Sequence, residues 1–224
     1  IQPEDVVFVA HSTTQATNAL LEGDVANVGV FSVAGGGLEG LLAKKQSHID
    51  DIDLQTGRKI HTANSFMKKK ELTPERIEGT IAQLKDQGAQ VIVASAAFGV
   101  DDMNEESMIR DGVEKNGLMA TMASEITKLY GLTRRTRTAV INASILPKML
   151  STANSTESSV RSVGVDVPLM IMRGDGGVMD ISEMRKRPIL TMLSGPAASV
   201  MGSLMYLRAS NGIYFEVGGT STNI

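Results

Sequence analysis

Near its end the chain reads Glu216-Val-Gly-Gly-Thr-Ser-Thr-Asn223, after a β-favouring run that begins at Ile213. A glycine pair at a strand end lets backbone N–H groups approach an anion that a Cβ would keep away. The hydroxyls of Thr220, Ser221 and Thr222 add donors. Gly218, Gly219, Thr220, Ser221 and Thr222 therefore form a candidate phosphate-binding turn. Glu216, at the strand end, is the candidate to hold a metal-bound water. Such a glycine pair is as often a plain turn, so the rest of the chain must decide between the two readings.

Three other segments carry residue types suited to chemistry. Ser194-Gly195-Pro196-Ala-Ala opens an apolar helix that runs toward the glycine turn, and taken alone it reads as a tightly packed helix start. His11-Ser-Thr13-Thr14 follows a short apolar run, at the strand end where α/β folds collect ligands. Its hydroxyls serve equally well as helix caps, and a lone histidine is more often structural than catalytic. Met172-Arg-Gly-Asp175-Gly-Gly177 also follows a strand; by itself it favours a tight turn over a ligand contact. Arg134, Arg135 and Arg137 cluster near an apparent helix start, where a solvated face is commoner than an anion site.

The elements that must position these residues alternate between strand and helix. Strands are expected at Val6–Ala10, Val25–Val33, Val91–Ala97, Leu118–Ala123, Leu169–Met172, Ile189–Leu193 and the final run. The continuous apolar character of Val91–Ala97 marks a strand buried on both faces of a parallel sheet. Helices are expected at 13–22, at about 74–87 after the Thr73-Pro74 cap, and from Asp102 with Glu105 three residues on. Further helices are expected at 139–163 with an interruption at Pro147, at 181–187 and at 197–207. Residues 38–72 lack clear periodicity beyond a short helical pattern near Leu38–Lys45, and read as an irregular excursion with some β-pairing. The order is α/β with a mainly parallel sheet.

Composition narrows the function classes. A length of 224 residues allows one or two domains, and 42% apolar with 21% charged residues is ordinary for a globular chain. A formal charge of −3 argues against a nucleic-acid partner. Zero cysteines exclude disulfides, thiolate zinc sites and a cysteine nucleophile, and fit a reducing, cytoplasmic compartment. No apolar run approaches a membrane span, so no membrane partner is expected. Thirteen Met and no Trp point to an aliphatic core filled by methionine.

Taken together and in order, these segments resemble the hydantoinase/oxoprolinase family. Residues 11–23, His-Ser-Thr-Thr-Gln-Ala-Thr-Asn-Ala-Leu-Leu-Glu-Gly, depart from the family stretch only in Ser12, where the family has Gly. Arg135–Ala143 matches an Arg-Thr-x-Thr-Ala-Val-x-Asn-Ala pattern, and Met172–Gly177 loosely matches Met-Gln-Ser-Asp/Asn-Gly-Gly. Arg187–Ala198 matches Arg-Pro-x-x-Thr-x-Leu-Ser-Gly-Pro-Ala-Ala, and Glu216–Asn223 matches Asp-x-Gly-Gly-Thr-Ser-Thr-Asp.

The resemblance implies the first lobe of an actin-like ATPase (ribonuclease H-like), with a mainly parallel or mixed sheet flanked by helices and truncated at both ends. It implies that residues 1–135 are the later part of the family's N-terminal region and that 136–224 begin its ATPase domain. The implied activity is ATP-dependent opening of a cyclic amide such as a hydantoin or 5-oxoproline. Phosphorylation of the amide oxygen turns a stable lactam into an activated imidate that water can attack. ATP and Mg²⁺ are the implied cofactors, with a small cyclic amide as substrate and an oligomer or second subunit as partner. On this reading His11, Thr13, Thr14 and Asp175 are the catalytic candidates. Gly195 and Pro196 join Gly218 to Thr222 in cofactor binding, and Glu216 serves the metal.

Departures open alternatives. Glu216 and Asn223 stand where the family keeps aspartates. That favours a nucleotide-binding module without hydrolase activity, such as a reactivating chaperone, a sensor or a dead homologue. An ATP-dependent ketone carboxylase subunit is the other alternative. The chain is expected to be a fragment and, alone, to turn over no ATP.

Overall fold

The computed structural model describes residues 2–54, 57–208, 211–217 and 222–224. Strand β1 (Val9–His11) precedes helix α1 (Gln15–Glu22), which stops at Gly23 with φ +67°. Strand β2 (Val28–Ala34) leads into α2 (Gly37–Ser47). A small hairpin, β3 (Ile52–Asp53) with β4 (Lys59–Ile60), precedes β5 (Thr62–Lys68). The Thr73 hydroxyl accepts from Arg76 N–H at 3.4 Å and caps α3 (Pro74–Asp86), whose first-turn proline has no N–H to waste. Next come β6 (Val91–Ala96), α4 (Asn104–Lys115), β7 (Met119–Met122) and α5 (Ala123–Ile126). Helix α6 (Leu132–Ser162) follows, then β8 (Leu169–Met172), β9 (Val178–Asp180) and α7 (Ile181–Lys186). A 3-10 helix (Pro188–Thr191), α8 (Ser194–Leu207) and the hairpin of β10 (Glu216–Val217) with β11 (Thr222–Asn223) complete the described elements.

The chain divides into two compact units, Ile1–Asn18 with Lys148–Ile224, and Ala19–Pro147. The contiguous unit is built on four parallel strands in the order β5-β2-β6-β7. Every residue of β2 and β6 is buried, as central parallel strands covered on both faces must be. Alternation along the strands sends Phe31, Val33, Ile92 and Ala94 to one face, where they pack with Ile77, Ile81 and Leu84 of α3 and Ile109 and Val113 of α4. The opposite face meets α2 and the first half of α6: Ala34 packs with Ala43 and Leu132, and Ser95 Oγ lies 2.7 Å from Thr136 Oγ1. The discontinuous unit holds a three-stranded mixed sheet, with β1 parallel to β8 and β8 antiparallel to β9. Arg185 of α7 bonds Asn154 (3.0 Å) and Glu157 (2.6 Å) of α6, fastening those two helices together.

Several expectations are corrected. Ile189–Leu193 is not a strand. Pro188 opens a 3-10 turn there, and the Leu190 carbonyl accepts from Gly174 N–H at 2.8 Å instead of joining a ladder. Residues 62–68 are a full strand at the edge of the parallel sheet; their half-exposed positions explain the weak apolar signal. Helix α6 begins at Leu132, seven residues before the expected start, and runs through Pro147 without a break. The Ser144 carbonyl, just before that proline, accepts from Ala26 N–H at 2.8 Å. Asp102 does not cap α4 through a box with Glu105. Its carboxylate accepts from Asn104 N–H at 3.0 Å while Glu105 pairs with Lys69. Among the described residues no helix is long and apolar enough to cross a membrane.

Candidate functional site

Within the discontinuous unit, the start of α1 and the start of α8 are held together by one hydroxyl. Ser194 is fully buried, and its Oγ accepts from Thr13 N–H at 3.3 Å and donates to the Thr13 carbonyl at 3.0 Å. Thr13 is itself buried, and its Oγ1 accepts from Gln15 N–H at 3.2 Å, capping α1. Leu193 N–H donates to Thr17 Oγ1 at 3.3 Å, which repeats the tie one turn into α1. Leu193 sits in the left-handed region at φ 58°, a conformation rare for a branched residue and here required to turn the chain into α8. A Cβ on Gly195 would lie 3.7 Å from Thr14 Cγ2, so the α8 start packs directly on the exposed Thr14.

The consequence is electrostatic. The first N–H groups of a helix have no acceptor in their own helix, and the dipole places partial positive charge there. Two such ends, from α1 and α8, are brought to one point by the Thr13–Ser194 bonds. His11 ends β1 beside them, in parallel register with Ile171 of β8, its side chain half-buried. This arrangement suits an anion such as a phosphate group.

The Arg173–Gly177 loop is tied to the same α8 approach. A Cβ on Gly174 would come within 2.0 Å of the Met192 carbonyl oxygen, so only glycine fits there. Gly176, at φ +84°, lies against the Met201 side chain of α8. The Asp175 carboxylate accepts from Gly177 N–H at 3.0 Å and pairs with the Arg173 guanidinium. The Gly177 donor first, and Arg173 with it, hold this carboxyl below the usual aspartate range. Asp175 is thus an ionised group anchored within its own turn.

Of the site residues expected from sequence, the structure brings His11, Thr13, Thr14, Gly195 and Pro196 to the two helix starts. Asp175 is joined to them through the loop contacts of Gly174 and Gly176. Gly218, Gly219, Thr220 and Ser221 lie outside the described residues. Thr222 pairs with Val217, and Glu216 pairs with Asn223, so the glycine segment is flanked by a short antiparallel ladder. Among the described residues no group of three or more His, Asp or Glu side chains stands together to hold a metal.

Ser194, the residue that joins the two helix starts, is absent from the sequence-based candidates. Its hydroxyl partner lies 181 residues away, and a serine at a helix start signals only a cap. Arg135 is a second correction: it is neither solvated nor an anion ligand. It is fully buried and donates to the carbonyls of Leu129 (2.7 Å), Tyr130 (3.3 Å), Ala96 (2.6 Å) and Ala97 (3.1 Å). The buried Glu106 carboxylate complements it, accepting from Ala96 N–H, Ser124 N–H and Ser124 Oγ, each at 2.9 Å. Arg134 and Arg137 face solvent as expected.

An α/β chain with an anion-suited site at paired helix starts is the class so defined. The hydantoinase/oxoprolinase N-terminal region model matches residues 1–117, and the hydantoinase/oxoprolinase model matches residues 135–224. The chain belongs to the hydantoinase/oxoprolinase family. It is 23% identical over 249 residues to the acetophenone carboxylase gamma subunit of Aromatoleum aromaticum, covering 97% of this chain and 34% of that protein. An uncharacterized protein of Methanocaldococcus jannaschii is 24% identical over 155 residues, 67% of this chain and 23% of its own. Among solved structures, nucleotide-free acetone carboxylase superposes with a TM-score of 0.70 at 18% identity, covering 95% of this chain and 34% of that one. The ATP-dependent caprolactamase of Pseudomonas jessenii superposes with a TM-score of 0.68 at 22% identity, covering 98% and 35%. These likenesses establish the shared fold. The chain spans about a third of the length of the acetophenone carboxylase subunit and of these two structures.

Proposed function

We propose that this chain forms the first nucleotide-binding lobe, of the actin-like type, in an ATP-dependent enzyme that opens a cyclic amide of the hydantoin or 5-oxoproline kind. The observation that carries this reading is the Ser194 hydroxyl holding the starts of α1 and α8 at Thr13. It supports a preformed anion cradle in a chain whose neighbours include an ATP-dependent caprolactamase. Residues 1–135 would complete the family's N-terminal region, and 136–224 would begin the ATPase domain.

The residues present fit a nucleotide phosphate at this point. Gly195 packs the first turn of α8 beside Thr14, and Pro196 fixes that turn but brings no N–H, so its donors are the N–H groups of Ser194 and Gly195. Bound ATP would supply the phosphoryl group that turns the amide into an activated imidate, open to attack by water and loss of the ring nitrogen. The Thr14 hydroxyl, exposed at the start of α1, is positioned to donate to a phosphate oxygen. On this reading His11, at the end of β1, is a further catalytic candidate. Asp175, fixed in its turn by the Gly177 N–H, is the catalytic candidate on the α8 side. Gly218 to Thr222 are assigned to phosphate binding on their sequence alone. The described residues do not by themselves make a metal site. Glu216 is the only contact this proposal gives Mg²⁺, and no step is routed through it.

A second subunit or further chain fits the exposed apolar residues of α8, among them Met205, Tyr206 and Leu207, which a chain standing alone would leave in water. The absence of cysteine suits a cytoplasmic setting. A ketone carboxylase subunit is the second reading, favoured by the alignment of 97% of this chain with the acetophenone carboxylase gamma subunit at 23% identity. A nucleotide-binding module without hydrolase activity is favoured by Glu216 and Asn223 at the family's aspartate positions.

The test is ATP turnover by the whole protein with 5-oxoproline, hydantoin, caprolactam or a small ketone. Stimulation by a cyclic amide supports the hydrolase. Stimulation by a ketone only, with bicarbonate, supports the carboxylase. Nucleotide binding without stimulation by any of them sinks both. The 224-residue chain alone is expected to bind nucleotide weakly and turn over none.

A further inference from the structure

The contiguous unit carries a second place where a ligand belongs. From β2 the chain runs to β5 on one side of the sheet, then returns past β2 to β6 on the other. The chain leaves β2 toward β5 and leaves β6 toward β7, in opposite directions, and the crevice beyond the carboxyl ends of such strands is where open α/β sheets bind ligands. A cavity of about 180 Å³ lies there. It is somewhat larger than a cavity of ~150 Å³ that holds benzene.

The lining defines the chemistry. Small aliphatic side chains at the strand ends, Ala34, Ala96 and Ala97, make an apolar wall. Phe98 stands at the cavity with 59% of its surface exposed, a large ring left in water. Three carboxylates, Glu39, Asp102 and Glu105, line the cavity against a single cation, Lys69. Glu105 is buried and ion-paired to Lys69, whose own side chain is 62% exposed. The Glu39 carboxylate turns back over Gly35, where a Cβ would come within 2.9 Å of Oε1.

The wall is also fixed. The N–H of Ala96 donates to buried Glu106, and the carbonyls of Ala96 and Ala97 accept from buried Arg135. Holding one strand end with two buried ionisable groups is costly, and it keeps the wall at constant geometry.

We propose that this cavity binds a small organic ammonium ion with an aliphatic body. The body lies on the alanine wall and the Phe98 ring. The ammonium is held by Glu105 in the place Lys69 now takes, with Asp102 and Glu39 beside it. An aromatic face with carboxylates favours an organic cation, and the excess of carboxylates excludes an anion of the same size. The site uses residues of the Ala19–Pro147 unit alone and does not depend on the function proposed above.

The test is calorimetric titration of the full chain at pH 7 with n-butylammonium chloride, against 1-butanol and sodium butyrate, with methyl NMR to locate binding. Saturable n-butylammonium binding is expected, about tenfold or more tighter than either control, with shifts at Ala34, Ala96 and Ala97. Lys69→Met should bind more tightly, because the ligand no longer competes for Glu105. Phe98→Ala and Glu105→Gln should bind more weakly. If Glu105→Gln fails to fold, Lys69→Met and Phe98→Ala, both altered at exposed side chains, carry the test. Equal binding of 1-butanol, no saturable binding to the wild type and Lys69→Met, or shifts confined to other residues would overturn the proposal.

Discussion

The two units hold a strand or helix end by opposite means. In the discontinuous unit a neutral hydroxyl, Ser194, gives and takes one hydrogen bond with the Thr13 backbone. In the contiguous unit a buried carboxylate and a buried guanidinium meet at Ala96, one accepting from its N–H and the other donating to its carbonyl. A neutral pair is cheap to bury and adds no field. Buried ions need every lone pair and proton matched, and they stiffen what they hold. The difference suits the sites. An anion cradle gains from the positive ends of α1 and α8, which a neighbouring buried carboxylate would oppose. A cavity for a cation tolerates, and is walled by, a charged network.

The comparison is broken most forcefully at Arg135. Arg135→Met strips donors from four carbonyls and leaves Glu106 without its cation, so a loss of about 3–5 kcal/mol is expected in urea unfolding. A loss under about 1 kcal/mol would mean the buried network holds nothing. Gly174→Ala drives a Cβ to 2.0 Å from the Met192 oxygen and should cost about 2–3 kcal/mol, with local change confined by NMR to Arg173–Gly177 and the α8 start. Ser194→Ala should cost about 1–2 kcal/mol while reducing nucleotide affinity of the whole protein disproportionately. Equal affinity in that variant would remove the cradle from the argument.

The smallest effect is the most diagnostic, because Glu106 and the Asp175 and Asp180 carboxyls respond to pH with opposite sign. Burial pushes the Glu106 carboxyl above the 4.5 of a free glutamate, against the pull of the Ala96 and Ser124 donors. The folded state therefore holds this proton longer than the unfolded chain, and the contribution is full below 4.5 and is lost as pH rises through the folded value. Asp175 and Asp180 are lowered below 3.8, so their contributions are present above 3.8 and are lost as pH falls through the lower folded values. In Glu106→Gln the decline in urea midpoint above pH 4.5 should flatten while the acid-side loss remains. An unchanged slope above pH 4.5 would show that Glu106 is not the group responsible.

Sequence made the local features visible and hid the distant ones. Val91–Ala96, the Thr73-Pro74 helix start and Leu169–Met172 were readable because composition and caps act within a few residues. The β5 strand was hidden because an edge position removes the burial that makes a strand apolar. Ile189–Leu193 was misread because its apolar residues satisfy a strand pattern, while the Gly174 contact that bends it comes from another segment. Arg135 was misread because its acceptors are backbone carbonyls, which carry no residue identity. For the same reason the sequence revealed His11 to Thr14 and Gly195-Pro196 as separate motifs, but not the Ser194 hydroxyl that joins them.

The division into a contiguous block and a discontinuous one also sets an order of assembly during synthesis. All four strands of the parallel sheet lie within Ala19–Pro147, so that sheet can form while the remainder is still being made. Val9–His11 is made before that block and pairs after it, since its β-partner Leu169–Met172 follows the whole block. Thr13 must wait longer still for Ser194. The pairing of the two helix starts is therefore a late product of translation, closed only after residues 19–147 have been made.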